Sequence, residues 1–227
     1  MIKSYLLIPL GVNMNKKISN VLLSAAIAIP LNTSNQWQVL KYSDLPSHKV
    51  EFTDSGLSVN VKSSASPLVY PLESMTAVSK ISVSGTVEKK IIFKGLQGSK
   101  NNDDFALRVG LVVKGKQTLS FAKKLVAPSW VKSLFALAPK GTGVDHIYFL
   151  NAAQDDKIIG KKRNHPLSKL IKEDNKWKLK FDKNGVAKFN FSTELPSSKK
   201  TLAVWISIDG DDTKSNFKTK ITNLKLN

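Results

Sequence analysis

Apolar and polar residues alternate with a period of two along most of this chain. Leu57, Val59 and Val61 are spaced by Ser58, Asn60 and Lys62, and Thr53-Asp54-Ser55-Gly56 precedes them as a turn. That pattern predicts a hairpin of Val50–Phe52 with Leu57–Val61. Ile81, Val83 and Val87 alternate with Lys80, Ser82, Ser84 and Thr86. Phe105, Leu107, Val109, Leu111 and Val113 share one face of a long strand, with Arg108 on the other. Trp177, Leu179 and Phe181, then Ala187, Phe189 and Phe191, then Leu202, Val204, Ile206 and Ile208 repeat the alternation. Ile147 to Leu150 is apolar throughout, which predicts a central strand covered on both faces. Phe217 and Ile221 keep one parity while Leu224 and Leu226 switch to the other, so a β-bulge is expected near Asn223.

Helical periodicity is sparse. Ser129 is placed to cap a short helix through Trp130, Val131, Leu134, Phe135 and Leu137, closed by Pro139 and Gly141. His165 to Glu173 reads as another short turn of helix. Many short strands with few helices predict an all-β fold, a jelly-roll-like antiparallel β-sandwich of roughly nine to eleven strands with one or two short helices.

The N-terminus departs from this pattern. Lys16 and Lys17 precede an apolar run, Val21 to Ile29, and small residues follow, with cleavage positions after Ala28 or after Ser34. This is the layout of a secretory signal peptide, too short to span a bilayer comfortably. Residues 1–34 are therefore read as a signal segment, with Met14 as the expected true start, and residues 35–227 as one β-sandwich domain. The expected location is periplasmic or secreted, with no transmembrane span in the mature form; an uncleaved anchor is the alternative.

Several stretches resemble an uncharacterised family of exported bacterial proteins, the domain-of-unknown-function family numbered three thousand and forty-seven. They are Ser66-Pro67-Leu68-Val69-Tyr70-Pro71-Leu72, Asp103-Asp104-Phe105-Ala106-Leu107-Arg108-Val109 and Trp205-Ile206-Ser207-Ile208-Asp209-Gly210-Asp211-Asp212-Thr213. Ala138-Pro139-Lys140-Gly141 and His165-Pro166-Leu167-Ser168 add to the likeness. The resemblance implies a jelly-roll sandwich of the kind found in carbohydrate-binding modules. It implies no activity, so no functional residue is carried over from it.

Composition narrows the chemistry. The chain has 41% hydrophobic and 23% charged residues, as ordinary globular domains do. It has no Cys, which excludes disulfides, thiolate zinc sites and thiol catalysis. The formal net charge is +18, and all the cations except Arg108 and Arg163 are Lys. A Lys surplus attracts anionic surfaces diffusely, whereas the planar Arg fork that grips phosphate is nearly missing. The densest basic run, Lys161-Lys162-Arg163-Asn164-His165, has no interleaved aromatics, so nucleic acid is disfavoured. That run reads either as a solvated loop or as a dock for lipid phosphate or acidic glycan.

Two acidic segments are candidate ligands. Asp209-Gly210-Asp211-Asp212-Thr213 ends an apolar strand, and Asp103 and Asp104 open another. Carboxylates round a glycine turn suit a structural calcium ion. The competing reading is an acidic turn bonded to its own backbone. If the two segments meet, cations or raised pKa values must offset their repulsion. Arg108, Tyr148 and Trp205 are the candidate ligand-binding residues on an open sheet face, where aromatic rings take the apolar faces of sugars; Trp205 packed under a loop, with Arg108 paired to Asp103, Asp104 or Asp211, is the other reading.

Catalytic motifs are missing. His48, His146 and His165 have no metal-ligand spacing, and no nucleophile elbow or phosphate loop occurs. Asp145 and His146 are adjacent, a spacing that on a regular strand sends them to opposite faces. The favoured function is a non-catalytic exported binding protein for a glycan or other envelope component. The alternatives are a polysaccharide-acting enzyme using Asp104 with Asp211, and an envelope structural or protein-interaction domain.

Overall fold

The computed structural model of the chain describes residues 26–166 and 168–227. The positively charged start of the expected signal segment and most of its apolar run lie outside the described residues. The elements in order are β1 (Ile27–Ala28), β2 (Gln38–Val39), β3 (Lys49–Thr53), β4 (Gly56–Lys62), β5 (Leu68–Glu88), β6 (Arg108–Gly115), α1 (Phe121–Val126), α2 (Ser129–Ala136), β7 (Gly143–Ala153), β8 (Lys162–His165), β9 (Ser168–Lys178), β10 (Val186–Ser207) and β11 (Asn216–Leu226). The fold is all-β, as the alternation predicts. The strands hydrogen-bond into one eleven-stranded sheet along the path β3-β4-β11-β5-β10-β6-β7-β9-β8, with β1 added to β11 and β2 to β5.

Two long strands make that single path possible. β5 and β10 run antiparallel from Val186↔Glu88 to Ile206↔Leu68. Their register breaks between Glu194 and Lys199 and again between Thr201 and Ala203, and bulges of this kind bend and twist a ladder. The main core takes residues from both ends of these strands, including Ile81, Val83, Ala187, Val204 and Ile206. Leu57, Val59, Leu107, Val109, Leu111 and Leu150 join the same cluster. Each such aliphatic side chain contributes about 1.5–3 kcal/mol on full burial. A second, smaller cluster forms on the other face of β6, β7 and β10, where Val112, Ile147, Phe149, Ala203 and Trp205 meet Leu134 of α2. This double coverage explains the unbroken apolar run of β7.

Several local expectations hold. The β3–β4 hairpin closes at Thr53↔Gly56, with Gly56 at a positive φ of 116°. The parity switch in β11 coincides with a register shift between Ile221 and Asn223. Helix α2 occupies Ser129–Ala136, although Pro128 rather than Ser129 is its N-cap.

Three expectations are corrected. Within the expected helix, His165 and Ser168–Glu173 are strand and Pro166 is a turn, with Arg163↔Glu173 and Asn164↔Lys172 paired across antiparallel β8 and β9. Pro166 biases His165 away from helical backbone, and the ladder to β7 supplies strand hydrogen bonds on the other side. That ladder, Ile147↔Ile171 to Leu150↔Asp174, is parallel, so the sheet is mixed rather than purely antiparallel. Asp145 and His146 are not on opposite faces: a register shift between Val113 and Lys114 leaves Asp145 as the extra residue, and His146 Nδ1 lies 2.9 Å from its Oδ2.

The chain just after Ala25 is part of the fold. β1 pairs with the end of β11, the Ile29 N–H donates to the Leu224 carbonyl at 2.9 Å, and Ile29 and Leu31 are buried in the main core. Among the described residues no helix is long and apolar enough to cross a membrane.

Candidate functional site

The second face of the sheet carries a cavity of about 440 Å³, within the usual range of small-molecule sites, about 300–1,000 Å³. Its floor is built by cross-strand register. Trp205 of β10 faces Gly110 of β6, and Gly110 faces Phe149 of β7. A Cβ at Gly110 would sit 2.7 Å from the Phe149 ring and 2.8 Å from Ile147 Cγ2, so only glycine leaves room for the two aromatic side chains to approach. Trp205 and Phe149 are buried to 3% exposure and supply bulk rather than open surface. The half-buried Tyr42 and Trp130 line the walls and are less buried than Trp205 and Phe149.

Two residue pairs further along, on the same face, Ser207↔Arg108↔Asn151 forms the charged end. Arg108 Nη1 donates to Asp209 Oδ2, and Nη2 donates to the Asp103 carbonyl oxygen at 2.6 Å and to its Oδ1 at 3.2 Å. Nε faces Glu173 Oε1 at 3.5 Å, and the guanidinium lies 4.3 Å above the Phe105 ring. Arg163 closes the network from β8: Nε donates to Glu173 Oε2 at 2.5 Å, Nη2 to Asp103 Oδ1 at 2.5 Å, and Nη1 to the Gly98 carbonyl. His165 Nε2 is 3.3 Å from Asp103 Oδ2. The basic run of the sequence is therefore an edge strand whose alternate residues, Arg163 and His165, turn inward.

The two acidic segments do meet, and protein donors hold them together. Asp104 accepts from the backbone N–H of Asp212 at 3.2 Å, from that of Thr213 at 2.7 Å and from the Thr213 hydroxyl at 2.5 Å. The Asp103 N–H donates to Asp212 Oδ2 at 3.1 Å, and Ser207 donates to Asp209 Oδ1 at 2.8 Å. Asp211 lines the cavity with its carboxylate bonded only to its own backbone N–H among the described residues. No group of three or more His, Asp or Glu side chains among the described residues is arranged to hold a metal ion.

Burial sets the electrostatics. It pushes the Asp209 carboxyl up to about 7, against the Arg108 guanidinium and the Ser207 hydroxyl. Burial also raises Asp211, helped by the charges of Asp104 and Asp212. Burial alone would raise Asp103, but His165, Arg108 and Arg163 outweigh it and hold that carboxyl below its ordinary range. Six carboxylates line the cavity, Asp103, Asp104, Glu173, Asp209, Asp211 and Asp212, against the one lining guanidinium of Arg108 and its neighbour Arg163. An acidic cavity thus sits in a strongly basic chain.

Of the residues singled out from the sequence, Arg108, Trp205, Asp103, Asp104, Asp209, Asp211 and Asp212 converge here. Tyr148 does not. It points to the main-core side, where its hydroxyl donates to Asp174 at 3.1 Å and Lys199 Nζ lies 5.5 Å from its ring. Glu173, Tyr42 and Trp130 were not anticipated as site residues. Glu173 is hidden by the helical reading of its segment, Trp130 reads only as a helix residue, and Tyr42 carries no local signal. Comparison with protein-family models gives no match, and comparison with curated proteins gives none.

Proposed function

We propose that this is an exported, non-catalytic binding module that takes a neutral or amine-bearing glycan of the cell envelope in the acidic cavity. The observation that carries the reading is the meeting of two half-buried aromatic side chains, Tyr42 and Trp130, with the Asp211 carboxylate in one cavity of about 440 Å³. Sugar rings offer an apolar face to aromatics and hydroxyls or amines to carboxylates. The carboxylate surplus disfavours uronic acids and phosphorylated sugars. Export rests on Lys16, Lys17 and the apolar run after them.

A catalytic reading has one supporting observation: carboxyls with raised pKa in a cavity, Asp209 and Asp211, are what acid–base chemistry uses. Against it, Asp104, the expected partner of Asp211, is 1% exposed and already accepts three hydrogen bonds. A glycosidase needs two carboxyls free to reach the bond between sugars.

Calorimetric titration with neutral, aminated and uronic envelope oligosaccharides separates these readings. Binding of a neutral or aminated sugar, weakened about tenfold by Trp130→Ala or Asp211→Asn with no product released, is the expected result. No binding at millimolar concentration, or affinity indifferent to both substitutions, would falsify the proposal. Turnover abolished by Asp211→Asn would replace it with the enzyme reading.

A further inference from the structure

Helix α1 has no buried residue. Phe121, Leu125 and Val126 are 79%, 68% and 86% exposed, and they make up three of the seven exposed large apolar side chains among the described residues. At 100° per residue, Phe121, Ala122, Leu125 and Val126 fall on one arc of the helix, and Lys123 and Lys124 on the opposite arc. This six-residue helix buries none of its apolar side chains against the fold that bears it. Scattered exposed apolar residues are ordinary, but three within six positions are not.

The charge around α1 is one-sided. No acidic residue occurs between Asp104 and Asp145, while Lys114, Lys116, Lys123, Lys124, Lys132 and Lys140 all fall in that interval. Beside α1 lies an open cavity of about 480 Å³ lined by Lys124, Lys132, Lys140 and Phe135. Exposed apolar residues in the lysine-rich connection between β6 and β7, next to a lysine-lined recess, match an anionic bilayer in two ways. Acyl chains receive the apolar arc, and headgroup phosphates meet the lysines.

We propose that the α1–α2 segment is a docking wedge for an anionic lipid surface, with Phe121, Leu125 and Val126 entering the acyl boundary and the surrounding lysines neutralising headgroup phosphates. This surface is separate from the acidic glycan cavity, and neither proposal depends on the other.

Flotation of the full chain with vesicles of phosphatidylglycerol and phosphatidylcholine, against phosphatidylcholine alone, tests it. The chain is expected to float with the anionic vesicles and to be released by high salt. The triple variant Phe121→Ser, Leu125→Ser, Val126→Ser and the double variant Lys123→Glu, Lys124→Glu should each lose about tenfold or more in vesicle affinity. Both should keep the parent melting midpoint, because every substituted side chain is exposed. A local readout separates α1 from the N-terminal apolar run: Phe121→Trp should be quenched by brominated acyl chains beyond the level of the native tryptophans. Undiminished binding by both variants, equal binding to neutral vesicles, or no added quenching at position 121 would overturn the proposal. So would concentration-dependent self-association that the triple variant abolishes without any vesicle binding, which would make the patch a contact between copies of the chain.

Discussion

Replacing Arg108 with Met isolates the cation that the cavity network is built around. The side chain is 7% exposed and contacts Asp209, Asp103 and Glu173. Met keeps most of the stem volume, so the change removes charge rather than packing. Its effect is uneven across the three partners. Asp103 keeps Arg163 and His165, and Glu173 keeps Arg163 and the Asn151 amide at 3.2 Å. Among the described residues, the Asp209 carboxylate keeps only the Ser207 hydroxyl. The variant therefore strands one buried carboxylate, and breaking a buried ion pair in this way costs about 3–5 kcal/mol. In a domain of this size that lowers the melting midpoint by about 2–4 °C per kcal/mol.

The loss depends on pH in a fixed direction. The Asp209 carboxyl already titrates at about 7 in the folded chain, above its ordinary 3.8, and without Arg108 it rises further. A raised acid binds its proton more tightly when folded, so the stability tied to that proton is present at low pH and lost as pH rises through the folded value. Urea unfolding followed by circular dichroism should thus show a small deficit for Arg108→Met near pH 5 that grows above pH 7 by about 1.4 kcal/mol per pH unit toward about 3–5 kcal/mol, because the folded variant keeps its proton to higher pH. Adding Asp209→Asn should restore most of it, because the stranded charge is gone. A deficit that does not grow between pH 7 and pH 9, or one that Asp209→Asn leaves in place, would contradict this assignment.

Other outcomes follow from single residues. Gly110→Ala drives a methyl into Phe149 and Ile147 and should cost about 1–3 kcal/mol in urea unfolding while leaving the circular dichroism spectrum unchanged. Burial holds His48 down at about 4, below its ordinary 6.5, against the Ile208 carbonyl that favours the proton. The unfolded chain takes that proton first. His48 therefore gives up to about 3 kcal/mol that is complete above pH 6.5 and lost as pH falls toward 4; His48→Gln should flatten the stability profile across that window. N-terminal sequencing of the exported chain should find Ile29 and Leu31 retained, because both are core residues; a mature start after Ser34 would contradict their packing.

The alternation of apolar residues carried most of the fold because a sheet residue's face depends only on its own parity. The β3–β4 hairpin, the buried run of β7 and the bulge before Asn223 are all local facts of that kind. Which strands neighbour each other is not local. The parallel β7–β9 ladder depends on the β8 hairpin folding back, and nothing in Ser168–Lys178 alone encodes it. The site divides in the same way. Asp103, Asp104 and Asp209 to Asp212 stood out as acidic clusters at strand ends, and Arg108 as a charge off the apolar parity. Tyr148 misled because aromatic content does not say which face of a doubly covered strand a ring takes. Asp145 with His146 misled because a bulge overrides parity. Glu173 enters the cavity through register across β7, β8 and β9, a relation no window of sequence contains.

The cavity's role is tested most directly by a crystal structure of the chain soaked with the tightest-binding neutral or aminated oligosaccharide. A sugar ring is expected against Trp130 and Tyr42, with a hydroxyl or amine on the Asp211 carboxylate. A sugar bound on any other surface with this cavity vacant would contradict it.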